Sequence, residues 1–408
     1  MINVYATPAE VLREVVPELD EAQLSPYRGL ASFTAADWFH GRQGAVEELL
    51  ERVRRHRLVL LLGPSGAGKS SLVQAGLLPA LAEGGVPGSD RWLPVLVRPG
   101  RDLAAELARD GNGGIGQAVE HRLRETGSER VVLVIDQFEE LLTRAPTAPD
   151  QTTSTPGLDL VQELLDALDA HTPLNVVLIM RNNFYSPLAE AAPHLLEAAK
   201  PGSVDIPAHL STPELDAIIT RPAQDAGARF EDGLPQRIID DLRQASTGRH
   251  VAATLLPPLQ LALSQLWERR DHGRLAHQTY ASIGKVSGSL AAWCDNAVGQ
   301  LPQAQRLIAH RILTALVHPA DDAQAIPATR RQVPLPELRA LAADTPAADA
   351  DFDKVLDSLS TDRIIATTSP GDARAGDPIV ELVHDALIRD WEQLRTWVDR
   401  DRKFTYRQ

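Results

Sequence analysis

The sequence feature that most constrains the fold is a run of five apolar residues, Leu58–Leu62, followed directly by the glycine-rich segment Gly63–Ser71. An apolar run without alternation is typical of a central strand in a parallel sheet, which is covered on both faces. The glycine-rich segment matches the pattern G-x-x-x-x-G-K-[ST], in which backbone N–H groups surround phosphate oxygens. The apolar segment Leu72–Leu81 then predicts the following helix. We therefore expect the chain to bind a nucleoside triphosphate.

The glycine-rich segment, called the phosphate loop below, supplies the first candidate nucleotide-binding residues. Two of its glycines allow the backbone to approach phosphate groups closely. Lys69 is expected to reach the β- and γ-phosphates, and the Ser70 hydroxyl to complete the coordination shell of Mg²⁺. The nine residues of the loop are Gly63, Pro64, Ser65, Gly66, Ala67, Gly68, Lys69, Ser70 and Ser71.

Two further apolar runs predict strands that end in charged residues. Val131–Ile135 is followed by Asp136, and Asn175–Met180 is followed by Arg181. Strands that alternate with helices favour a parallel sheet with ligands at the carboxyl ends of its strands. Asp136 is then expected to hold Mg²⁺ beside the phosphate loop. Arg181 is expected to converge on the same site, the alternative being a solvated strand end.

An aromatic residue beside a proline, Tyr27 after Pro26, lies upstream of the phosphate-loop strand. The ring is well placed to stack on a purine base. It is equally well suited to pack against the edge of the sheet. The residue types fit the two interpretations equally.

The second half of the chain has a mainly helical pattern. Ser211–Glu214 has the spacing of a capping box, and from about residue 280 further helices precede two strand patterns, Ile364–Thr368 and Ile379–Val383. Helices followed by a two-stranded hairpin are typical of a winged helix. The predicted domains are an N-terminal arm or linker (residues 1–25), an α/β P-loop domain with a parallel sheet (26–207), an all-α helical domain (208–280) and a winged-helix domain (281–408).

Composition excludes several classes of protein. Of the 408 residues, 55 are acidic and 41 are lysine or arginine, so the net charge of −14 disfavours a duplex DNA-binding surface as the main activity. The single cysteine, Cys294, excludes an intramolecular disulfide and is more typical of a core residue than of a reactive thiol. The sequence has no run of eighteen apolar residues and no signal-peptide pattern. We expect a soluble, cytoplasmic protein without membrane contacts.

Seven stretches of the chain, taken in order, resemble the novel STAND NTPase 1 family of signalling ATPases. The ordered set extends from residue 26 almost to the C-terminus and is far more specific than the phosphate loop alone. The stretches are Pro26–Leu30, Phe39–Arg42, Gly63–Ser71, Asp136–Leu141, Arg181 with Phe184–Tyr185, Leu256–Pro257 through Trp267–Glu268, and Glu381–Arg389 with Trp391.

The resemblance implies an AAA-like ATPase domain, a helical domain and a winged helix, with ATP or ADP and Mg²⁺ as cofactors. It implies a monomeric resting state in which the winged helix closes over ADP, with His384 in contact with the β-phosphate. It also implies that Arg42 lies near the nucleotide, that Arg181 is the first sensor, and that Pro257 packs near the adenine. Activation is expected to produce a homo-oligomer.

The chain departs from the family pattern at three places. Gln43 stands where glutamate is usual, and Thr254–Leu255 stands where a glycine precedes the proline. Gln137 stands where many P-loop ATPases have a second acid after the magnesium aspartate. The base that activates water is therefore either Glu139 or Glu140, and hydrolysis is expected to be slow if neither is well placed.

The sequence thus predicts a nucleotide-driven signalling switch that ADP holds closed and that ATP with a trigger opens. The alternative is an AAA-type ATPase that acts on nucleic acid through its winged helix, against which the net charge argues. Effector and sensor functions are expected on partner chains or on segments outside this one, because only about 25 residues precede the matched core.

Overall fold

The computed structural model describes residues 3–4, 25–34, 36, 38–98, 114–143, 156–246, 251–320, 328–342, 346–362, 364–368, 378–384 and 386–405. The chain divides into two compact units. Among the described residues, the P-loop unit comprises residues 3–4 and those between 33 and 208, and the C-terminal unit comprises residues 25–32 and those between 209 and 405. Most of the predicted N-terminal arm, residues 5–24, lies outside the described residues.

The P-loop unit contains a six-stranded sheet. Its strands are β1 (Asn3–Val4), β2 (Leu58–Gly63), β3 (Trp92–Val97), β4 (Arg130–Ile135), β5 (Leu174–Arg181) and β6 (Ser203–Asp205). Their order is β1-β3-β4-β5-β2-β6. The last five are parallel, as predicted for an α/β P-loop domain, and β1 joins β3 antiparallel at one edge.

The register of the central strands brings three chain segments to one edge of the sheet. β2 and β5 are buried along their whole length, which explains their continuous apolar runs. Gly63 of β2 lies opposite Arg181 of β5, and Ile135 of β4 lies opposite Leu178 of β5. The phosphate loop, Asp136 and Arg181 therefore follow neighbouring strand ends.

Helices and short turns connect the strands of the P-loop unit, since parallel strands need crossover connections. The helices are Gln43–Arg55, Lys69–Ser71, Leu72–Leu77 with π-helical geometry, Leu78–Ala82, Ile115–Thr126, Glu140–Thr143, Pro156–Asp169, Tyr185–Ala191 and Pro193–Ala199, with 3₁₀ turns at Ser89–Arg91, Asn182–Phe184 and Lys200–Gly202.

The backbone of the helix that follows the phosphate loop packs closely against side chains of neighbouring segments. Its π-helical part, Leu72–Leu77, contains Gly76, which is buried. A Cβ atom at Gly76 would meet Val46 Cγ2 at 2.5 Å and Phe39 Cε1 at 3.3 Å. The helix Gln43–Arg55, which carries Val46, can approach this closely only because residue 76 has no side chain.

We expect Gly76→Ala to lower the free energy of unfolding by about 1–3 kcal/mol, because the added methyl group overpacks the contact with Val46. Gly44→Ala is the matched control, since a Cβ at Gly44 meets nothing within 4 Å. Urea denaturation of both variants, followed by circular dichroism, measures the difference. Equal midpoints for the two variants would contradict this account of the helix contact.

The C-terminal unit is mainly helical. The predicted capping box is present at Ser211, whose Oγ accepts from Glu214 N while the Glu214 carboxylate accepts from Ser211 N. The helices are Thr212–Asp225, Leu234–Ala245, Leu256–Glu268, His277–Ser282, Lys285–Gln300, Gln303–Ala315, Leu335–Ala342, Pro346–Thr361, Ala386–Asp390 and Glu392–Thr405, with a 3₁₀ turn at Ala253–Leu255.

Within the described part of this unit, nine short strands accompany these helices. They are β7 (His209–Leu210), β8 (Arg229–Phe230), β9 (Val251–Ala252), β10 (Arg274–Leu275), β11 (Val317–His318), β12 (Thr329–Arg330), β13 (Val333–Pro334), β14 (Ile365–Thr368) and β15 (Ile379–Leu382). β13, β15 and β14 form an antiparallel three-stranded sheet in that order. It contains the predicted hairpin β14–β15, whose connection, residues 369–377, lies outside the described residues.

Residues 25–32 belong to the C-terminal unit, whereas the sequence analysis assigned residues 26–32 to the P-loop domain. The reason is the burial of Tyr27, whose hydroxyl donates to Ile219 O and whose ring meets Trp267 edge-on with centroids 6.3 Å apart. The other change of unit, between Ala208 and His209, adjoins the predicted boundary at residue 207.

The predicted helical and winged-helix domains, residues 208–280 and 281–408, lie in one compact unit. A single apolar cluster includes Leu261 from the first region and many residues of the second. Cys294 belongs to this cluster, and burial raises the pKa of its thiol, as expected of a core residue. Within the described ranges, every helix is too short or too polar to cross a membrane.

Candidate nucleotide-binding site

The phosphate loop takes the backbone conformations that its glycines allow. Gly66 and Gly68 have φ angles of 83° and 81°, in the left-handed region. Gly68 directly precedes the helix, and its carbonyl accepts from Leu72 N at 2.8 Å. The first N–H groups of a helix have no intrahelical acceptor, so they are available to bind an anion at this point.

The ammonium group of Lys69 lies over the end of strand β2. Its Nζ donates to the carbonyl oxygens of Gly63, at 2.9 Å, and Pro64, at 3.0 Å. A Cβ at Gly63 would lie 3.6 Å from Lys69 Cδ and 3.3 Å from Ile206 Cβ, so glycine leaves room for the lysine stem. The charge is therefore held where the loop would receive phosphate.

Ser70 and Asp136 form the candidate magnesium site. Ser70 Oγ donates to Asp136 Oδ1 at 2.9 Å, and Asp136 is 1% exposed. Its Oδ2 has no hydrogen-bond partner among the described residues, and Arg98 Nε lies 4.0 Å from it. A buried carboxylate oxygen without a donor is unfavourable unless a cation binds it, and Mg²⁺ prefers such oxygen ligands. The donor set thus fits Mg²⁺.

Glu139 and Arg181 form a buried ion pair beside these residues. Arg181 Nε lies 3.0 Å from Glu139 Oε1, and the two side chains are 11% and 7% exposed. Burial raises the pKa of Glu139, the positive charges of Arg181 and Lys69 oppose that increase, and the negative charge of Asp136 adds to it. Since all three charges act on Glu139, its carboxylate faces the candidate site.

Glu140, the other candidate base, has a different position. It is the first residue of the short helix Glu140–Thr143, it is partly exposed, and its N–H donates to Gln137 O at 3.0 Å. The turn begins at Gln137, which has a left-handed φ of 61° and buries Phe138 in the core. Of the two glutamates, Glu139 is the one buried beside Arg181, and the identity of the base stays a prediction.

Arg42 lies at the N-terminal end of the helix Gln43–Arg55, after Gly41 with its φ of 75°. Its side chain is buried and Gln43, the residue that departs from the family pattern, is exposed. The role of Arg42 near the nucleotide stays a prediction.

Four other predicted nucleotide-binding residues, Pro26, Tyr27, Pro257 and His384, belong to the C-terminal unit. Tyr27 is only 1% exposed and packs among helices, against Ile219 O and the ring of Trp267, and not on the sheet edge. Pro257 is buried in the first turn of the helix Leu256–Glu268. The contacts of these four residues with a nucleotide stay predictions.

Two contacts of the site were not predicted from the sequence. Arg98 follows β3, as Asp136 follows β4, so a charged residue directly after an apolar strand was the available signal. The backbone N–H of Phe33 donates to Ser71 Oγ at 3.1 Å. No local pattern indicates that second contact, because 38 residues separate the partners.

With this geometry described, the chain can be compared with known proteins. The model of the family Novel STAND NTPase 1 matches residues 26–408. The chain belongs to this family. It is a P-loop NTPase of the STAND class, as the seven ordered sequence stretches indicated. No curated protein matches the chain.

Three solved structures align with this chain at low sequence identity and low structural similarity. The ORC1 protein of Aeropyrum pernix in complex with DNA is 15% identical, with 90% of this chain and 94% of that chain covered and a TM-score of 0.44. The ORC2 protein of A. pernix is 13% identical, with 89% and 95% covered and a TM-score of 0.42. The Hsp104–ADP complex of S. cerevisiae is 16% identical, with 72% and 48% covered and a TM-score of 0.40.

We expect Glu139→Gln to lower the rate of nucleotide hydrolysis by about 10²–10⁴-fold while nucleotide affinity stays nearly unchanged, because a glutamine cannot accept the proton of water. Glu140→Gln is the matched control and should retain hydrolysis within about twofold. Single-turnover hydrolysis and calorimetric nucleotide binding measure the two quantities. The raised pKa of Glu139 also predicts that hydrolysis declines on the acid side at a higher pH than an ordinary carboxylate would cause. Loss of hydrolysis in Glu140→Gln alone would reverse the assignment.

Proposed function

We propose that this protein is an ATP- and ADP-dependent signalling switch that hydrolyses ATP slowly and forms a homo-oligomer when activated. The observation that carries the proposal is the group of Lys69, Ser70, Asp136, Glu139 and Arg181 beside the phosphate loop. Membership of the STAND family supports a signalling role for this group of residues. A location in the cytoplasm is part of the proposal.

Slow hydrolysis follows from the way in which Glu139 is held. A general base must present a carboxylate oxygen to the attacking water. Burial raises the pKa of Glu139, but the guanidinium of Arg181, with Nε 3.0 Å from Oε1, opposes that increase and competes with water for the carboxylate. Mg²⁺ bound by Ser70 and Asp136 would neutralise charge that develops on the transferred phosphate. Such a site suits slow, regulatory hydrolysis better than rapid turnover.

The proposed switch has three parts: the P-loop domain, a helical domain over residues 208–280 and a winged helix over residues 281–408. The winged-helix assignment is supported by the helices Lys285–Gln300, Gln303–Ala315 and Pro346–Thr361, which share an apolar core with the antiparallel sheet of β13, β15 and β14. ADP stabilises a closed monomer, and ATP together with a trigger favours the open form. Effector or sensor proteins would read the open form.

A nucleotide shifts such an equilibrium only through a difference in its affinity for the two forms. Interactions that depend on the γ-phosphate supply one such difference, and we assign this sensing to Arg181. A contact with the β-phosphate that exists only in the closed form supplies another. We assign that contact to His384, with Arg42, Pro26, Tyr27 and Pro257 completing the nucleotide site.

We expect the protein to be a monomer with ADP and to assemble with a non-hydrolysable ATP analogue once the trigger is supplied. Mass photometry or light scattering of the two complexes measures this. Lys69→Ala, which removes the phosphate-paired charge, is the control and should stay monomeric under both conditions. A monomer of wild-type protein with the analogue, at trigger concentrations that saturate binding, would contradict the oligomeric switch.

We expect His384→Ala to release ADP about ten- to a hundredfold faster than the wild type, since a hydrogen bond to a charged group contributes roughly 1.5–3 kcal/mol. The affinity of the open form for ATP should change little, because the contact exists only in the closed form. Stopped-flow release of a fluorescent ADP analogue measures the rate. Identical release rates in variant and wild type would contradict the contact of His384 with ADP and indicate a structural role.

A further inference from the structure

Arg330 holds the backbone immediately before His384. Its Nη1 donates to the carbonyl oxygens of Leu382, at 2.9 Å, and Val383, at 3.1 Å. Fifty-two and fifty-three residues separate the partners. The side chain of Arg330 is 12% exposed, so these hydrogen bonds are largely protected from water.

The two bonds stabilise a change in chain direction. Consecutive carbonyl groups point to opposite sides of an extended strand, so one nitrogen can reach both only where the chain turns. Strand β15 ends at Leu382, and the chain bends at Val383, whose N–H still donates to Ile364 O at 3.0 Å. The bend is followed directly by His384.

The carboxylate of Glu381, which lies on strand β15 next to Leu382, supports Arg330. Glu381 Oε2 lies 4.0 Å from Arg330 Nη1, and the Glu381 side chain is 6% exposed. Gln332 Nε2 donates to the same carboxylate oxygen at 3.3 Å. The guanidinium charge is therefore balanced within the C-terminal unit, and the arginine has a fixed position.

His384 is held from its other side by backbone N–H groups. Ala386 N donates to His384 Nδ1 at 3.0 Å, and Leu387 N donates to His384 O at 3.1 Å. A backbone N–H donates only to an unprotonated ring nitrogen, so the neutral ring carries its proton on Nε2. The ring proton therefore lies on Nε2, and the backbone of His384 is held on both sides.

We propose that Arg330 is a positioning residue for His384, which sets the place of the Nε2–H donor that meets a phosphate oxygen of ADP. The proposal rests on the closing role of His384 stated above. Arg330 contacts no nucleotide in this account: it acts through the carbonyls of Leu382 and Val383. A planar guanidinium suits this task because it offers donors in a fixed geometry.

The test is the release rate of a fluorescent ADP analogue from the full chain, measured for the wild type, Arg330→Met, His384→Ala and the combination of the two changes. Arg330→Met removes the donors and keeps the length of the stem, and it should release ADP about tenfold faster than the wild type. In the His384→Ala background the same change should alter the rate less than twofold, because Arg330 acts through His384. Affinity for a non-hydrolysable ATP analogue should stay within about twofold.

Arg306→Met is the matched control for loss of arginine–carbonyl bonds. Arg306 also donates to two backbone carbonyls of the C-terminal unit, Leu301 O at 2.8 Å and Gly299 O at 2.6 Å, but not next to His384. It should release ADP at the wild-type rate even if it lowers the melting temperature as much as Arg330→Met does. Should Arg330→Met fail to fold, Arg330→Lys keeps the charge beside Glu381 and is expected to release ADP at least threefold faster than the wild type.

Three outcomes would overturn the proposal. The first is a wild-type release rate in Arg330→Met or, if that variant does not fold, in Arg330→Lys. The second is an equal acceleration of ADP release in Arg306→Met. The third is an acceleration by Arg330→Met that is undiminished in the His384→Ala background. A normal rate in His384→Ala itself would instead refute the closing role of the histidine, so the two failures are distinguishable.

Discussion

Two buried carboxylates, Asp136 and Glu139, lie just after strand β4, and the chemistry of the P-loop unit depends on how their charge is balanced. Arg181 contacts Glu139 directly, and Lys69 acts on it electrostatically. Within the described residues, Asp136 accepts at short range only from the neutral hydroxyl of Ser70, and the charge of Arg98 lies farther away, with Nε 4.0 Å from Oδ2. Since a buried charge needs a partner, this imbalance favours uptake of a divalent cation together with the nucleotide phosphates.

The parallel sheet makes this charge cluster possible. Its three central strands end side by side, so residues from three separate chain segments meet there. The segments are distant in sequence, so this meeting depends on the pairing of the strands. The left-handed backbone of Gln137 then turns the chain so that Phe138 enters the core while Glu139 faces the charged group. Backbone strain of this kind persists where the surroundings fix it, and it commonly accompanies function.

In the C-terminal unit, long side chains bind backbone carbonyls that are far away in sequence. Tyr27 joins residues 25–32 to the helix Thr212–Asp225 through Ile219 O, and Arg330 holds the bend before His384. Ser32 and Phe33 are consecutive, so the chain passes at this point from one unit to the other. In the proposed switch two arginines have distinct tasks. Arg181 pairs with the candidate base Glu139, and Arg330 positions His384.

The sequence by itself determined the features that depend on neighbouring residues. The apolar strand runs, the glycine conformations of the phosphate loop and the capping box at Ser211 were all predictable, because each is set within a few residues. The family was predictable as well, because seven ordered stretches carry it.

Only the tertiary structure showed that Glu139 is buried against Arg181 while Glu140 is partly exposed. It also gave Tyr27 its packing surroundings and revealed the contact of Arg330 with Leu382 and Val383. Each of these depends on partners about 40 to 240 residues away. The energies that select such contacts come from burial and charge in the folded chain, which no local pattern records.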